Sequence, residues 1–491
     1  MGVDHGHIRA WVPYAGFLVF GAFWGVWGAS VPVIRAQGGL TDGQLGTALL
    51  FIAAGALPAM PLAGRAVDRW GRRATAITLT ALGLAGVAVA VTARDLPALC
   101  VGLAVLGASS GAADVTINAA AGSAERATGR PVITRAHGFF SVAVVVASLL
   151  TGLLNAAGLP VVVPYLLVAL AAATVSAAIA GSADATVRAA IGTAGSANAS
   201  ANANASAANG TAGSADATGS ADIGTGSVDI GTGSVDIGTG SVDIGTASAD
   251  IGAGDRTRAD SGRRQRARAS AAPGRPGLRA HLPLLLVAGG LGALGFAVEN
   301  AHQSWSAVYL ADTVHAGPAL VGAGPAVFAL SVALTRFAIG AVRTRRAWLV
   351  LTAGAALAAA ATSLLALASS LPMALLGLAL AAAGTAVLFP TVLGLATANV
   401  PAAARGAATS VVSTSAYLGF LAGPVYVGHW AQAAGLPGAM LAVAALAAAL
   451  ALLAWPALRA VDAAGTGRAT GGAPEASDRP RPSTSPSRER L

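Results

Sequence analysis

Residues 64–73, which read Gly-Arg-Ala-Val-Asp-Arg-Trp-Gly-Arg-Arg, form a short polar stretch between two apolar segments of the chain. A transmembrane helix needs roughly 20 apolar residues to cross a hydrocarbon core of about 30 Å, and each flanking segment is long enough. A charged turn between two such segments is typical of a protein that crosses a membrane several times. We therefore predict a polytopic membrane protein.

The composition of the whole chain supports this prediction. Of its 491 residues, 55% are hydrophobic and only 10% are charged, whereas a soluble domain carries about 25% charged residues. Charged residues and Pro/Gly positions divide the chain into about twelve apolar runs. The runs are 11–34, 42–63, 74–93, 97–120, 132–155, 160–180, 283–310, 317–341, 347–369, 372–398, 406–428 and 436–458.

Six runs precede a long polar interval and six follow it. We predict an all-α membrane protein of twelve transmembrane helices in two six-helix halves, residues 1–180 and 281–459. Residues 181–280 hold almost no large apolar side chains, which predicts a disordered, low-complexity cytoplasmic linker. Residues 460–491 are predicted to be a disordered cytoplasmic tail.

Arginines in the short loops predict the orientation, because positive charge is retained on the cytoplasmic side. With the N-terminus inside, the outer loops hold only Arg35 and Arg94. The inner loops hold ten arginines: Arg65, Arg69, Arg72, Arg73, Arg126, Arg130, Arg343, Arg345, Arg346 and Arg405. We expect a multi-pass protein of a bacterial cytoplasmic (inner) membrane with both termini in the cytoplasm.

The basic end of the linker, from Arg256 to Arg279, is expected to contact anionic lipid, since juxtamembrane basic clusters are attracted to a negatively charged leaflet. Nucleic acid is not an expected partner. The single cysteine, Cys100, has no companion for a disulfide or a metal site. We expect no metal, no cofactor and no enzymatic activity, and we expect a monomer.

Two acids, Asp114 and Glu299, are predicted to lie at membrane depth. A charge there costs at least ~2.5 kcal/mol, so it needs a partner or a watery cavity. Residues at the third and fourth positions after Glu299 share its helix face, and this stretch is polar for a transmembrane span. Its candidate proton-coupling or substrate residues are Glu299, Asn300, His302, Gln303 and Trp305.

Glu299 has two interpretations. A carboxylate at this depth can alternate between charged and protonated forms, because desolvation favours the neutral form and a nearby cation favours the charged one. Alternatively, Glu299 only bonds to a neighbouring helix, for instance through His302, and stabilises the bundle. Trp305 and Tyr309 either cap a solute site or anchor the helix at the outer interface.

A second candidate cluster joins the fourth and fifth runs. Asp114 and Arg135 are expected at similar depth on antiparallel neighbours, which predicts a salt bridge, and Asn118 and His137 lie beside them. The cluster either binds solute or proton, or acts as a cytoplasmic latch.

The spacing G-x-x-x-D-R-x-G-R-R of residues 64–73 resembles the signature loop of the major facilitator superfamily, which joins its second and third helices. Further stretches resemble a little-characterised bacterial subfamily, distantly related to the fucose permease group. They are residues 114–118, Glu125, 129–131, 137–141, 299–301, 305–310 and 417–424.

The resemblance implies two halves that rock about a central cavity. It also implies that Asp68 meets the start of the eleventh helix, near Arg405 and Gly406, and holds the outward-open state. The matching stretch of the second half lacks the acid, although Arg336 and Arg343 are placed to cross between halves. The candidate latch residues are Gly64, Asp68, Arg69, Gly71, Arg72, Arg73, Arg336 and Arg343.

These observations predict a secondary active transporter that works by alternating access and is coupled to protons. Uptake of a small polar solute, sugar-like by family analogy, is the leading hypothesis. Proton-driven efflux of a metabolite or drug is the first alternative. The second is a transporter-like sensor that moves no solute.

Overall fold

The apolar runs form helices because backbone groups in lipid must find their hydrogen bonds within the chain. The protein is described by a computed structural model over residues 5–181, 278–340, 347–398, 400–401 and 404–470. Within these ranges, eleven helices are long and apolar enough to cross a membrane. Residues 182–277 of the predicted linker, with its arginines as far as Arg275, lie outside the described residues, as do Arg343 and the tail beyond Thr470. Residues 278–280, at the end of the predicted linker, and residues 460–470, at the start of the predicted tail, are helical.

The first half contributes six helices, close to the predicted runs. They are α1 (His5–Gln37), α2 (Asp42–Trp70), α3 (Arg72–Thr92), α4 (Leu96–Thr128), α5 (Val132–Ala156) and α6 (Val162–Gly181).

The second half begins with α7 and has two interrupted spans. These helices are α7 (Leu278–Asp312), α8 (Pro318–Val321 and Ala323–Gly340), α9 (Ala347–Ala366) and α10 (Leu371–Thr385 and Leu388–Thr397).

The last element, Arg405–Thr470, is broken at Gly435, whose backbone has φ 73° and ψ 169°. Glycine adopts this left-handed region without the steric cost that a side chain would add. We name the part before the break α11 and the part after it α12. Divided there, the eleven apolar helices of the described residues correspond to the twelve predicted runs.

The stretch at residues 64–73 is helical for most of its length, which corrects the prediction of a turn. Helix α2 continues to Trp70, and the turn is confined to Gly71, with φ 54° and a hydrogen bond of 2.8 Å from its N–H to the Val67 carbonyl. Outside the hydrocarbon core, a helix can continue through charged residues. A residue with positive φ ends it.

Helices within each half approach closely at small residues. A side chain at Gly107 of α4 would collide with the Ile52 carbonyl of α2, and one at Gly25 of α1 would collide with the Val144 carbonyl of α5. Helices in lipid associate through such packing, because lipid provides little hydrophobic drive for their association.

The two halves meet closely at the end of the bundle where α1 ends and α2 begins, which we call the Arg35 end. Gly46 of α2 and Gly428 of α11 lie backbone against backbone. Gly152 of α5 faces the Ala319 carbonyl of α8 in the same way. The opposite end, where α2 ends, we call the Asp68 end.

Candidate functional site

Glu299 lies in the middle of α7 and is buried, with 9% of its surface exposed. Its Oε1 accepts a hydrogen bond from Arg336 Nη2 of α8 at 3.3 Å, which makes an ion pair between neighbouring helices. Gln303, one turn along α7, donates to the same oxygen at 3.4 Å. The carboxylate therefore has a cation and an amide as its partners at membrane depth.

Arg336 is the partner that sequence reasoning assigned to a latch between halves. In the structure it forms its ion pair within its own half, and its Nε donates to the Ala386 carbonyl at 3.4 Å, where α10 is interrupted. Helix α8 packs against α5 of the first half as well as α7 and α10. His137 of α5 is close enough to Arg336 for their electrostatic interaction to be significant. Arg336 thus lies where the halves face each other.

His302 does not join Glu299 at this place, although their spacing suggested a shared face. Its ring is fully buried, with Nδ1 2.7 Å from the Val298 carbonyl and Nε2 3.0 Å from the Thr362 hydroxyl of α9. The ring also stacks on Phe328 of α8, with centroids 5.7 Å apart. Because a carbonyl only accepts, Nδ1 carries a proton. His302 fastens α7 to α8 and α9.

Asn300 and the aromatic candidates are also held inside the second half. Asn300 Nδ2 donates to the Phe420 carbonyl of α11 at 2.6 Å, and its Oδ1 accepts from Ser304 at 3.0 Å. Trp305 and Tyr309 are fully buried, and the Tyr309 hydroxyl donates to a carbonyl of α9. Neither aromatic side chain is an exposed interface anchor.

Asp114 of α4 accepts a hydrogen bond of 3.0 Å from Asn118, one turn further along. In the described part of the chain it forms no ion pair with Arg135, which is exposed. Asp114 lies 14 residues before the end of α4, about 21 Å, whereas Arg135 lies only three residues, about 5 Å, after the start of α5. The expectation of similar depth was wrong for this reason.

Asp114 faces the second half instead. It interacts electrostatically with Tyr417 of α11, whose ring contacts Phe296 of α7 with centroids 5.9 Å apart. On the other side of the same interface, the exposed ring of His137 packs against Phe17 of α1, with centroids 4.7 Å apart. Polar and aromatic groups of both halves therefore meet at the level of Glu299 and Asp114.

Asp68, in the last turns of α2, is exposed and makes no hydrogen bond or ion pair within the described residues. Side chains added at Gly64 and Gly71 would meet open space, as would one at Gly406 of α11. Arg405 Nε donates to the Val400 carbonyl of its own half at 3.1 Å. The contact between Asp68 and the start of α11, which the resemblance implied, is absent from the described residues of this structure.

An ion-pair triad at the Arg35 end was missed by sequence reasoning. The Arg35 guanidinium bonds to Asp42 at the start of α2 and to Asp312 at the end of α7. The three side chains are 19%, 22% and 35% exposed. Arg35 lies at the end of the first helix of the first half, and Asp312 lies at the end of the first helix of the second half. Their equivalent positions in the two halves were the sequence signal that could have predicted the pair.

Comparison with known sequences supports a transporter family. The family model described as Major Facilitator Superfamily matches residues 284–486. An uncharacterized MFS-type transporter of Yersinia pestis is 34% identical over 132 residues, which are 27% of this chain and 34% of that protein. The uncharacterized transporter y4wD of Sinorhizobium fredii is 31% identical over 134 residues, 27% of this chain and 36% of its own. The chain thus spans about a third of the length of these relatives.

Solved structures match over nearly the whole length. A nucleoside transporter, NupG, superposes with a TM-score of 0.60 at 12% identity, covering 92% of this chain and 98% of its own. A D-xylose-proton symporter also gives 0.60, at 14% identity, with 91% and 97% covered. The fold is that of the major facilitator superfamily. A bacterial homolog of the lysosomal transporter Spinster, in an inward-facing and unoccupied conformation, shares this fold with a TM-score of 0.56 at 15% identity, with 94% of this chain and 99% of that one covered. With eleven described helices long and apolar enough to cross a membrane, the chain is a multi-pass membrane protein.

Proposed function

We propose that the protein is a secondary active transporter that carries a small polar solute across the membrane by alternating access, coupled to protons. The observation that carries this proposal is the ion pair between buried Glu299 and half-exposed Arg336, which lies within the membrane-spanning helices α7 and α8 where the two halves face each other. An ionisable residue inside a membrane span is costly, and its usual reason is a role in moving solute or protons.

The pair is suited to proton exchange. Charged Glu299 is stabilised by the Arg336 guanidinium and the Gln303 amide, and burial opposes its charge. Small movements of α8 relative to α7 therefore change the balance between the charged and protonated forms. A rocking motion of the halves would act through α8, since α8 also packs against α5.

The arginine bias of the loops places the Asp68 end in the cytoplasm. Because the Arg35 end is closed and the Asp68 latch is unformed, we assign this conformation to an inward-facing state. In the outward-facing state, Asp68 would approach the start of α11, where a helix N-terminus attracts negative charge. The Arg35–Asp42–Asp312 triad would open in that state, because it joins the two halves.

The nature of the solute and the subfamily are finer proposals. Neighbours of the same fold include a D-xylose-proton symporter and a nucleoside transporter, which supports a polar solute. Uptake by a monomer, with the basic linker on anionic lipid, is our preferred arrangement. We also place the chain in the little-characterised subfamily distantly related to the fucose permease group, on the motifs quoted above.

The test is the variant Glu299→Gln in sealed vesicles, with solute-driven proton movement recorded by a pH-sensitive dye. An untargeted comparison of metabolites taken up or expelled by cells with and without the gene supplies the solute. Proton movement should be lost while the protein still folds, as judged by its elution as a single species. The matched control is Glu125→Gln at the end of α4, where the amide oxygen can still accept from the Ile133 N–H.

Unchanged proton-coupled flux in Glu299→Gln would remove Glu299 from the mechanism. No flux of any solute under a proton gradient, with wild-type protein, would contradict the transporter proposal and favour a sensor. Accumulation of the metabolite inside cells that carry the gene indicates uptake, and its accumulation outside them indicates proton-driven efflux.

A further inference from the structure

Arg336 has more hydrogen-bond donors than partners. A guanidinium carries five N–H donors, and within the described residues two of its nitrogens are engaged, Nε with the Ala386 carbonyl and Nη2 with Glu299. The side chain is 49% exposed, on a helix that packs against both halves. Its unused donors are available to a molecule that enters between the halves.

The groups around these donors favour a solute. Across the interface, His137 of α5 lies within electrostatic range of Arg336, and α5 packs against α8. One turn from Glu299 along α7, Phe296 stacks on Phe389 of α10, with centroids 4.4 Å apart. Phe389 lies three residues after the α10 carbonyl that accepts from Arg336. A cation with aromatic rings on the adjoining helices provides a charged anchor and an apolar wall, which is the usual composition of a small-molecule site.

We propose that the transported solute carries a carboxylate, which binds Arg336 in place of Glu299 when Glu299 takes up the coupled proton. This inference rests on the proposed transport function and names its substrate class. The proton comes from solution and binds a carboxylate oxygen of Glu299, and the guanidinium exchanges one carboxylate partner for another. On release, the solute leaves Arg336 and Glu299 returns its proton to the solution on that side.

The charge balance favours a singly charged carboxylate over a phosphate ester. One proton on Glu299 removes one negative charge and leaves Arg336 as an unpaired cation, which is costly at this depth. A singly charged carboxylate restores neutrality and fits the planar guanidinium with two parallel hydrogen bonds. A phosphate ester, which carries about −1.5 to −2 charges at pH 7, exceeds the charge that one proton frees.

Few other charged or titratable groups face Glu299. Of the described helices packed against α7, α8 contributes Arg336, and Tyr417 of α11 contacts Phe296, one turn from Glu299. In the described part of the chain, helices α1, α10 and α12 contribute no charged side chain at this depth. His137 faces Arg336 from α5, and Asp114 faces Tyr417 from α4. The Glu299 carboxylate and the solute carboxylate therefore compete for a single cation, Arg336.

The test uses purified protein in proteoliposomes and three pairs of solutes that differ by one carboxylate: gluconate and sorbitol, glucuronate and glucose, lactate and 1,2-propanediol. Entry is measured by mass spectrometry, and proton movement by an internal pH-sensitive dye. We expect at least one acid to enter with protons and its neutral partner to enter roughly tenfold more slowly or not at all.

The variants separate binding from coupling. Arg336→Gln should weaken binding of the acid roughly ten- to a hundredfold, as the loss of a charged hydrogen-bond pair predicts, and Arg336→Lys should recover part of it. Glu299→Gln should still bind the acid, measured by thermal stabilisation, without moving protons. Arg94→Gln, an exposed arginine of the α3–α4 loop, is the control and should behave as wild type.

Proton-coupled entry of a neutral member at the rate of its acid partner would overturn the carboxylate inference and leave the proposed transport function intact. Entry of no acid in the panel would also contradict the inference. Failure of the transport function itself shows separately, as a metabolite comparison in which no solute differs between cells with and without the gene.

Discussion

The Arg35 end and the Asp68 end of the bundle differ in how the two halves meet. At the Arg35 end, Gly46 and Gly428 bring α2 and α11 into backbone contact, and an ion-pair triad joins α1, α2 and α7. At the Asp68 end, Asp68 is exposed and a side chain at Gly406 of α11 would meet open space. The same two helices are thus together at one end and apart at the other.

Two kinds of interaction hold the halves together at the Arg35 end. Small residues allow close packing over a large area, which is the main source of helix association in lipid. The triad is partly exposed, and such pairs contribute about 0–1 kcal/mol each. We therefore expect packing to hold the Arg35 end closed and the triad to adjust the balance.

The largest effect is expected from Gly46→Val. A side chain here would collide with the backbone of α11, and overpacking of this kind costs about 1–3 kcal/mol, which shifts a two-state ratio roughly 5- to 150-fold. Transport should fall, and the Arg35 end should open. The measurement is labelling of Ala431→Cys, a buried position of α11, by an impermeant maleimide in a Cys100→Ser background.

The control for this variant is Gly290→Val on α7, an exposed position where an added side chain meets open space. Labelling of position 431 should match wild type in the control. Equal labelling of position 431 in Gly46→Val and wild type would show that glycine packing does not close this end.

Arg35→Gln should have an intermediate effect. It removes the ion pairs with Asp42 and Asp312 and should favour opening of the Arg35 end by about 1 kcal/mol, a roughly fivefold shift. Labelling of position 431 should rise, and the rise should shrink in high salt, which screens charge pairs. Arg94→Gln is the matched control. If labelling of position 431 rises equally in Arg94→Gln, the effect does not come from loss of the triad.

Asp68→Asn should have a smaller effect, in the opposite direction. Asp68 has no partner among the described residues in this state, so the variant loses nothing here. In the outward-facing state it loses an interaction with a helix N-terminus worth about 0.3–1 kcal/mol. Labelling of position 431 should fall below the wild-type value, and an identical pattern in both proteins would refute the latch.

Thr362→Val should leave the balance between the two ends unchanged. It removes the hydroxyl that contacts His302 Nε2 inside the second half and should lower stability by about 1 kcal/mol. Thermal unfolding measures this loss, while labelling of position 431 and proton coupling should match wild type. Loss of proton coupling in a variant that still folds would show that His302 takes part in transport.

The fold was predictable from the sequence because hydrocarbon thickness and backbone hydrogen bonding determine where helices must run. The helical character of residues 64–70 was not, since polar residues suggested a turn that only Gly71 provides. Glu299 was identified by its depth alone. Its partner Arg336 could not be identified from the sequence, because the pairing depends on how α7 packs against α8. The spacing of residues along one helix does not give that packing.

The same limit explains the other errors at the site. His302 follows Glu299 by three residues, yet its ring turns toward Thr362 on α9, and the periodicity of α7 alone does not show which neighbour each side chain meets. Asp114 and Arg135 were matched by their order along the chain and not by their distances from the helix ends. The Arg35–Asp312 pair could not be predicted without knowing how the two halves pack against each other.

The most direct test of alternating access measures both ends in one experiment. Spin labels at positions 94 and 367 report the Arg35 end, and labels at 127 and 407 report the Asp68 end, all exposed sites in a Cys100→Ser background. Pulsed electron resonance distances should show the first pair close and the second pair apart without solute. With solute and a proton gradient, the two distances should change in opposite directions in a shared fraction of molecules, and a change of both in the same direction, or of neither, would contradict the account.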